Sequence, residues 1–532
     1  MEPASELLAR IEAEKAELVK AKKIRKEKPL AEIEKSERWS SIPKTWLFVR
    51  LGEIGDWGSG ATPKRSESKF YGGSINWFKS GELNNYIIDY ESKEKITDLA
   101  VQKTSVRLNQ PGDVLIAMYG ATIGKTGVLA VHGTTNQAVC ACTCFSGMNN
   151  RFLHLLLKAL KPIFIGQGEG GAQPNISRIK IRNQPIPLPP LPEQQAIVQT
   201  VDALLQELDQ LQQRTETRLQ LKTDYATAAL RRLTTAPAVG PAWEALAPHF
   251  RTFFDETGNV QSLSAAILQL AVQGKLTAQW RKAHPDVEPA TELLSRIKAE
   301  KAALVKAKKI KKEKPLPPVD AAEVPFAVPE GWVWCRLGEV ITFLNGFAFK
   351  SSTYVADSEY QIIRLGNVKN DGLKLDIKQA YVPKEIGEST LAYQILENDI
   401  LTTLTGTKGK KDYCYTCIVE AENVENKTLL LNQRVGCIRA VERSFPPLLN
   451  IFLKSESLLD QLFATESGTA NQGNIGSGSF KQLIFPLPPL PEQHAIVQAV
   501  EELLGLCTAL EEAAGRRDVV LGDWVRAVVA GG

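Results

Sequence analysis

No stretch of this 532-residue sequence approaches the roughly 20 consecutive apolar residues that a membrane-spanning helix needs. The opening residues, MEPASELLARIEAEK, are charged from Glu2 onward, unlike a cleavable leader. A cytoplasmic protein is therefore expected. Histidine is scarce, at five residues, and His132, His154, His249, His284 and His494 show neither metal-ligand nor triad spacing. Of eight cysteines, Cys140, Cys142 and Cys144 alternate, which puts them on one face of a strand as buried thiols. Cys414 and Cys417 have CxxC spacing, but no second pair lies near, so no zinc is expected. Net charge is only +4, which neither demands nor excludes nucleic acid; the distribution of charge decides.

Catalytic signatures are also lacking. GATIGKTG (Gly120 to Gly127) has three residues between its first glycine and the Gly-Lys, where a phosphate-binding loop needs four. GTKGKKD (Gly406 to Asp412) has Lys411 where a Ser or Thr should hold magnesium. The first reads instead as strand, turn, strand. Neither Asn-Pro-Pro-Tyr nor Asp-Pro-Pro-Tyr, which an amino-methyltransferase would use, occurs. Glu91-Ser92-Lys93 lacks the preceding Pro-Asp of a nuclease site. A non-catalytic chain without its own metal or cofactor is expected.

What the sequence does hold is a repeat. PLPPLPEQQAIVQTVDALL (187–205) returns as PLPPLPEQHAIVQAVEELL (486–504), matching at 15 of 19 positions with an offset of 299. ELLARIEAEKAELVKAKKIRKEKPL (6–30) returns as ELLSRIKAEKAALVKAKKIKKEKPL (292–316), matching at 21 of 25 with an offset of 286. PKTWLFVRLGEI from Pro43 returns as PEGWVWCRLGEV from Pro329. The chain is two copies of one unit, each with a shared head, a variable middle and a shared tail. The middles, 55–186 and 341–485, differ in length by 13 and in most residues. Sparse anchors survive: Asp113/Asp399, Asn136-Gln137/Asn432-Gln433, and Gln173 with Asn175/Gln472 with Asn474. One framework carrying two different faces suits a device that recognises two things at a fixed separation.

The tails predict long helices. Ile197, Val201, Leu204, Leu208 and Leu211 fall at heptad spacing, and Ile496, Val500, Leu503, Cys507 and Leu510 repeat it. Pro192 and Pro491 suit a first helical turn. The heads are helical by composition, with Leu8, Ile11 and Leu18 as a sparse seam. The expected pairing is antiparallel: the first tail on the second head, and the first head on the second tail. Residues 234–291 have no copy, and SLSAAILQLAVQGKL within them reads as an amphipathic helix. The basic runs Lys20–Lys28 and Lys306–Lys314 allow two readings, phosphate contacts or solvated helix ends favourable to the dipole.

The middles read as mixed α/β with short strands, such as DVLIAMYG and DILTTLTG, and loops rich in Lys, Arg, Asn and Gln. Such side chains suit base edges: Arg and Lys pair with guanine, Asn and Gln with adenine. Candidates are Lys64, Arg65, Lys69, Lys79, Asn84 and Asn85 in the first middle. In the second they are Lys350, Arg364, Asn367, Lys369, Asn370, Lys408, Lys410 and Lys411.

The doubled PLPPLPEQ-AIV, the head–middle–tail plan and ILQLAVQGKL resemble the specificity subunit of type I restriction–modification systems, over nearly the whole chain. GSGATPKRS, GDVLIAMYGATIGKTG, TNQAV and GGAQPNIS in the first middle resemble its target-recognition domain, and NGFAFKSSTY and IIRLGNV in the second resemble another branch of it. The resemblance implies an α+β chain with two α/β target-recognition domains, separated by long antiparallel coiled-coil helices in a pseudo-two-fold repeat. The expected boundaries are a head helix at 1–35, a first recognition domain at 40–186 and a spacer helix at 187–235. An unrepeated segment follows at 236–291, then a second head at 292–318, a second recognition domain at 326–485 and a C-terminal spacer helix at 486–532. The resemblance further implies that each domain reads half of a split site in double-stranded DNA, while the helices set the gap. The implied partners are two methyltransferase subunits and motor-nuclease subunits, which would supply the chemistry of S-adenosylmethionine, ATP and magnesium. Offset 299 carries Gly532 to Leu233, so no equivalent of Ser262–Leu276 follows in the second copy, and asymmetric partner docking is expected. Two other readings are a coiled-coil protein scaffold and a self-contained restriction–modification enzyme. The missing motifs oppose the enzyme, and the basic, Asn-rich loops favour DNA over the scaffold.

Overall fold

The computed structural model describes all residues except 1, 39–40, 85, 169–174, 470 and 531–532, and only the backbone of 517–530. It divides into two compact units, 1–215 and 216–532, each mixing helix and sheet. No helix among the described residues is long and apolar enough to cross a membrane.

Each unit is closed by its own head and tail segments. Strand Leu47–Arg50 pairs antiparallel with Pro185–Leu188, and Val333–Arg336 pairs in the same way with Ile484–Leu487. These are two-stranded ribbons, which tolerate the prolines because a ribbon has free edges. The same bonds then recur in both copies. The Trp46 indole donates to Glu193 and the Trp332 indole to Glu492, both at 2.8 Å. Arg50 and Arg336 are buried, and each Nε donates to a head carbonyl, of Ala31 or Pro317, at 3.2 Å. Each guanidinium also pairs with a head carboxylate, Glu37 at 2.7 Å or Glu323 at 2.6 Å. The Gln194 and Gln493 side chains donate to Pro189 and Pro488 carbonyls at 3.0 Å. Charge-assisted bonds of this kind satisfy a buried arginine that would otherwise be costly. The residues that match between copies are those that make these closures.

The middles share a strand order. In the first unit a sheet runs Gly55–Ser59, Val139–Cys144, Val114–Ala117, Thr126–Leu129, Ile87–Ile88. In the second it runs Ile341–Asn345, Val435–Ala440, Ile400–Thr403, Thr416–Ile418. The apolar runs beginning at Asp113 and Asp399 are inner strands, as expected, and each aspartate accepts from the backbone N–H three residues before it. GATIGKTG is the turn between Val114–Ala117 and Thr126–Leu129, which pair antiparallel. Cys140 and Cys142 are buried in the first core, and burial pushes the Cys140 thiol up to about 12. Cys414 and Cys417 lie in different apolar clusters.

The heads depart from the expected pairing. Helix Ala4–Lys20 buries Leu7 and Ile11 in the core of its own unit, beside Phe152 and Leu153. Its Lys15 ammonium donates to Gly52 O at 3.1 Å. Helix Ala290–Lys306 does the same with Leu293 and Ile297, and Lys301 donates to Gly338 O and Ile341 O. The apolar stripe of a head spans only its first turns, which fits a domain surface better than a long seam. The tails differ from each other. Helix Leu191–Thr235 leaves Leu204, Leu208 and Leu211 at 55, 59 and 57% exposure, with Ile197 and Val201 half-buried. Helix Leu490–Ala530 buries Ile496, Val500 and Cys507 and half-buries Leu503 and Leu510. Helix Thr257–Val272 of the unrepeated segment covers it, with its Ser264 at the Cys507 thiol.

Candidate nucleic-acid interface

In each unit one variable segment leaves the first strand of the sheet at a glycine. The strand Gly55–Ser59 ends at Gly60, and a β-carbon there would lie 2.3 Å from the carbonyl of Asn136. Gly346, its counterpart 286 residues on, would meet the carbonyl of Asn432 at 2.1 Å. Only glycine lets the two backbones approach so closely. The contact is then fixed by Ala61 N–H to Thr135 O at 3.0 Å and Phe347 N–H to Leu431 O at 2.8 Å. This accounts for the Asn-Gln anchor. The other anchor also has a physical basis: Tyr119 bridges Asn175, and Thr405 pairs with Asn474. Gln173 lies outside the described residues.

In the first unit, Arg65 and Lys79 converge. The Arg65 guanidinium lies 4.7 Å from the Tyr71 ring and 5.1 Å from the Trp77 ring, and the Lys79 ammonium 5.4 Å from Trp77. Both pair with Glu94. Hydrogen bonding to Arg65, then to Lys79, holds the Glu94 carboxyl below the usual range. Cation–π contact and a shared carboxylate preset both cations on one aromatic platform. Lys69 stands apart, paired with Glu67 at 2.9 Å. Lys64 is exposed and unpaired among the described residues. Asn84 accepts from Lys125 at 3.0 Å, and Asn85 lies outside the described residues. Lys125, in the GATIGKTG turn, carries no signal in the sequence that sets it among the loop cations.

The same loop is tied to the tail helix. Arg151 lies 3.5 Å from the Tyr86 ring centroid, and its Nε donates to Asp202 at 3.0 Å. His154 packs on the same Tyr86 ring, with centroids 4.8 Å apart, and both its ring nitrogens are buried without a hydrogen bond. Burial, and then the nearby Arg151 and Lys158, lower its pKa to about 4.

In the second unit, Arg364 lines a cavity of about 440 Å³ with Lys378, Asn432 and Arg434. Arg434 is exposed and follows the Asn432-Gln433 anchor, which was the available signal for it. Asn367 corrects the expectation. It is 2% exposed, and its amide is spent on Lys374 O, Ile377 O and the Arg364 N–H. A side chain so satisfied builds the turn and has nothing left for a base edge. Asn370 is exposed but accepts from the Thr416 N–H at 3.0 Å. Lys369 is half-buried in a short strand, and Lys350 is exposed in the loop after Gly346.

Lys408, Lys410 and Lys411 share a loop that Glu466 holds from beneath. Glu466 accepts from the Gly409 N–H at 3.1 Å and from the buried Tyr413 hydroxyl at 2.7 Å. Burial and the Glu466 carboxylate raise the Tyr413 pKa. Lys411 pairs with Asp460, Lys408 donates to Gly468 O, and Lys410 is exposed and unpaired among the described residues. Strand Gln472–Asn474 lies against this loop, so the Lys-rich segment and the second anchor form one protrusion. Neither unit brings its candidates into one cluster. Each instead presents two or three basic patches on short loops.

The family described as Type I restriction modification DNA specificity domain matches residues 43–221 and 329–518. The EcoAI specificity subunit of Escherichia coli is 33% identical over 96% of this chain and 86% of its own length. The EcoEI specificity subunit of Escherichia coli is 30% identical over the same shares. The crystal structure of an HsdS subunit from Thermoanaerobacter tengcongensis aligns over 90% of this chain and 94% of its own, at 16% identity and a TM-score of 0.43.

Proposed function

The chain belongs to the type I restriction–modification DNA specificity family, and on that premise we propose that each unit reads one half of a split, asymmetric site in double-stranded DNA. The observation that carries this reading is the repeated framework bearing unlike basic loops. Identical closures at Trp46/Trp332, Arg50/Arg336 and Gly60/Gly346 hold two different sets of cations. A duplicated enzyme would repeat its chemistry; a reader of two half-sites repeats its mount and varies its contacts.

In this reading the chain catalyses nothing. Two methyltransferase subunits bring S-adenosylmethionine, and motor-nuclease subunits bring ATP and magnesium. The exposed stripe Leu204, Leu208, Leu211 supports a docking and spacing role for the first tail. An antiparallel pairing of long tail helices would fix the gap between the half-sites. The complex acts in the cytoplasm. Arg65 and Lys79 in the first unit, and Arg364, Lys408 and Lys410 in the second, are the readers best placed for guanine or phosphate.

The test is co-expression with the cognate methyltransferase subunit and methylation mapping of a plasmid. Methylated adenines at a single split motif, only when both proteins are present, are the expected result. Exchange of 55–186 for the middle of another family member should then change one half of that motif and leave the other intact. Methylation by this chain alone, or alteration of both halves, overturns the reading.

A further inference from the structure

Both head helices end in the same unusual way. Helix Ala4–Lys20 closes with Lys22 at φ +57°, and helix Ala290–Lys306 with Lys308 at φ +58°. The Lys22 N–H bonds Val19 O at 3.0 Å and the Lys23 N–H bonds Leu18 O at 2.9 Å; Lys308 and Lys309 repeat this with Val305 and Leu304 at 3.0 Å. A left-handed residue in such a closure is ordinarily glycine, because an L side chain there is strained. The chain puts lysine in that place twice.

The reversal lays the basic run along the domain. Ile24 packs against the first core, so the segment after it turns off the helix axis and runs along the domain while its basic side chains stay exposed. Between this segment and the domain lies a cleft of about 910 Å³. Lys23, Arg25, Lys26 and Lys28 line it, all exposed and without an ion-pair partner among the described residues. On the domain side Arg107 is neutralised by Asp56 at 3.1 Å, whereas Arg182 is only 8% exposed and keeps an unpartnered buried Nε although its Nη2 meets Glu27. Four free cations face one wall that is balanced and one buried arginine with a donor to spare. That arrangement attracts a polyanion rather than a single carboxylate. The second head carries Lys309, Lys311, Lys312 and Lys314 at the equivalent positions, all exposed.

The geometry points to the heads as grips on the phosphodiester backbone of duplex DNA. They hold the duplex without reading bases, while the divergent loops read it. This inference rests on the DNA-reading function proposed above. It divides the work: sequence-independent affinity belongs to the repeated segments, and specificity to the segments that differ.

The full chain with its methyltransferase subunits is titrated onto two labelled duplexes of equal length. One carries the mapped split motif and the other is shuffled. The variant combines Lys23→Gln, Arg25→Gln, Lys26→Gln and Lys28→Gln; a second replaces Lys309, Lys311, Lys312 and Lys314 by Gln. These side chains are exposed, so thermal unfolding should not change, and two separate variants guard against a fault in either. The expected result is weaker binding to both duplexes by the same factor. The slope of log affinity against log salt should become shallower by roughly two to four for each variant. An unchanged slope overturns the inference. So does a loss confined to the motif-bearing duplex, which would make the heads base readers, or a loss of subunit assembly at constant slope, which would make them a protein contact. Wild type with no preference between the duplexes would defeat the DNA-reading function itself, whatever the variants do.

Discussion

Glu492 is a buried carboxylate of the second unit with three side-chain donors. It is 1% exposed, and it accepts from the Trp332 indole at 2.8 Å, the Thr277 hydroxyl at 2.6 Å and the Arg281 guanidinium. Arg281→Met leaves that carboxylate buried with its charge uncompensated and should cost about 3 kcal/mol; adding Glu492→Gln should recover most of it. Equilibrium unfolding of the single and double variants checks this, and an equal loss in both would mean the pair does not act as a pair. His154 makes a pH prediction in the first unit. Its folded-state pKa of about 4 lies below the ordinary 6.5, because burial, Arg151 and Lys158 all oppose the proton. The unfolded chain therefore binds a proton that the native state refuses, and stability falls as pH drops from about 6.5 toward 4. Asp202, on the Arg151 guanidinium, opposes this only weakly. His154→Phe should flatten that part of a melting-temperature profile, and an unchanged profile would assign the acid sensitivity elsewhere.

At the scale of elements, two helices that begin with nearly one sequence and then diverge have different fates. The seam of the second tail is buried under Thr257–Val272, while the seam of the first is open from Leu204 to Leu211. Ile496→Ala should cost about 2–5 kcal/mol, as core truncations do, whereas Leu208→Ala should stay within about 0.5 kcal/mol of wild type. Leu208→Ala should instead weaken association with the methyltransferase subunit, read by sedimentation. Equal effects on unfolding would show that the first seam is covered in the free chain. The heptad spacing was legible in the sequence, as were the helices, the two inner strands and the repeat itself. The partner of each seam was not, because a 4-3-4-3 spacing states that a stripe exists and not what lies on it. The cover came from the unrepeated segment, where no copy could be compared. The site was less legible than the fold for a similar reason. Arg65, Trp77, Lys79 and Glu94 meet only when a strand and two loops fold together, and Asn367 looks like a loop reader until the turn closes around its amide.

For the whole molecule, the 13-residue difference between the middles is resolved into three places. Counterpart strands keep the offset of 286 through Ile400–Thr403, move to 290 at Thr416–Ile418 and 296 at Val435–Ala440, and reach 299 by Ile484–Leu487. The extra length therefore lies in loops, and the mount is kept. In the function proposed above, the gap between the half-sites falls to the 45-residue helix Leu191–Thr235. One added turn after Leu211 lengthens it by about 5.4 Å, against about 3.4 Å per base step, so the unread gap should grow by roughly one or two base pairs. Methylation mapping should find both halves unchanged, and a constant gap would refute the role of the helix as a ruler. Gly60 and Gly346 bear on how such a molecule changes over generations. Each pins its reading loops to the framework through backbone alone, at a spot where no side chain fits. Whatever is written beyond the pin exerts little leverage on the rest. A new loop can be imported whole, through recombination at the repeated flanks, and inherit a working mount on arrival. The same pin makes these glycines fragile, since any replacement forces two backbones apart. The chain thus concentrates its intolerance in a few atoms and leaves its vocabulary free to drift.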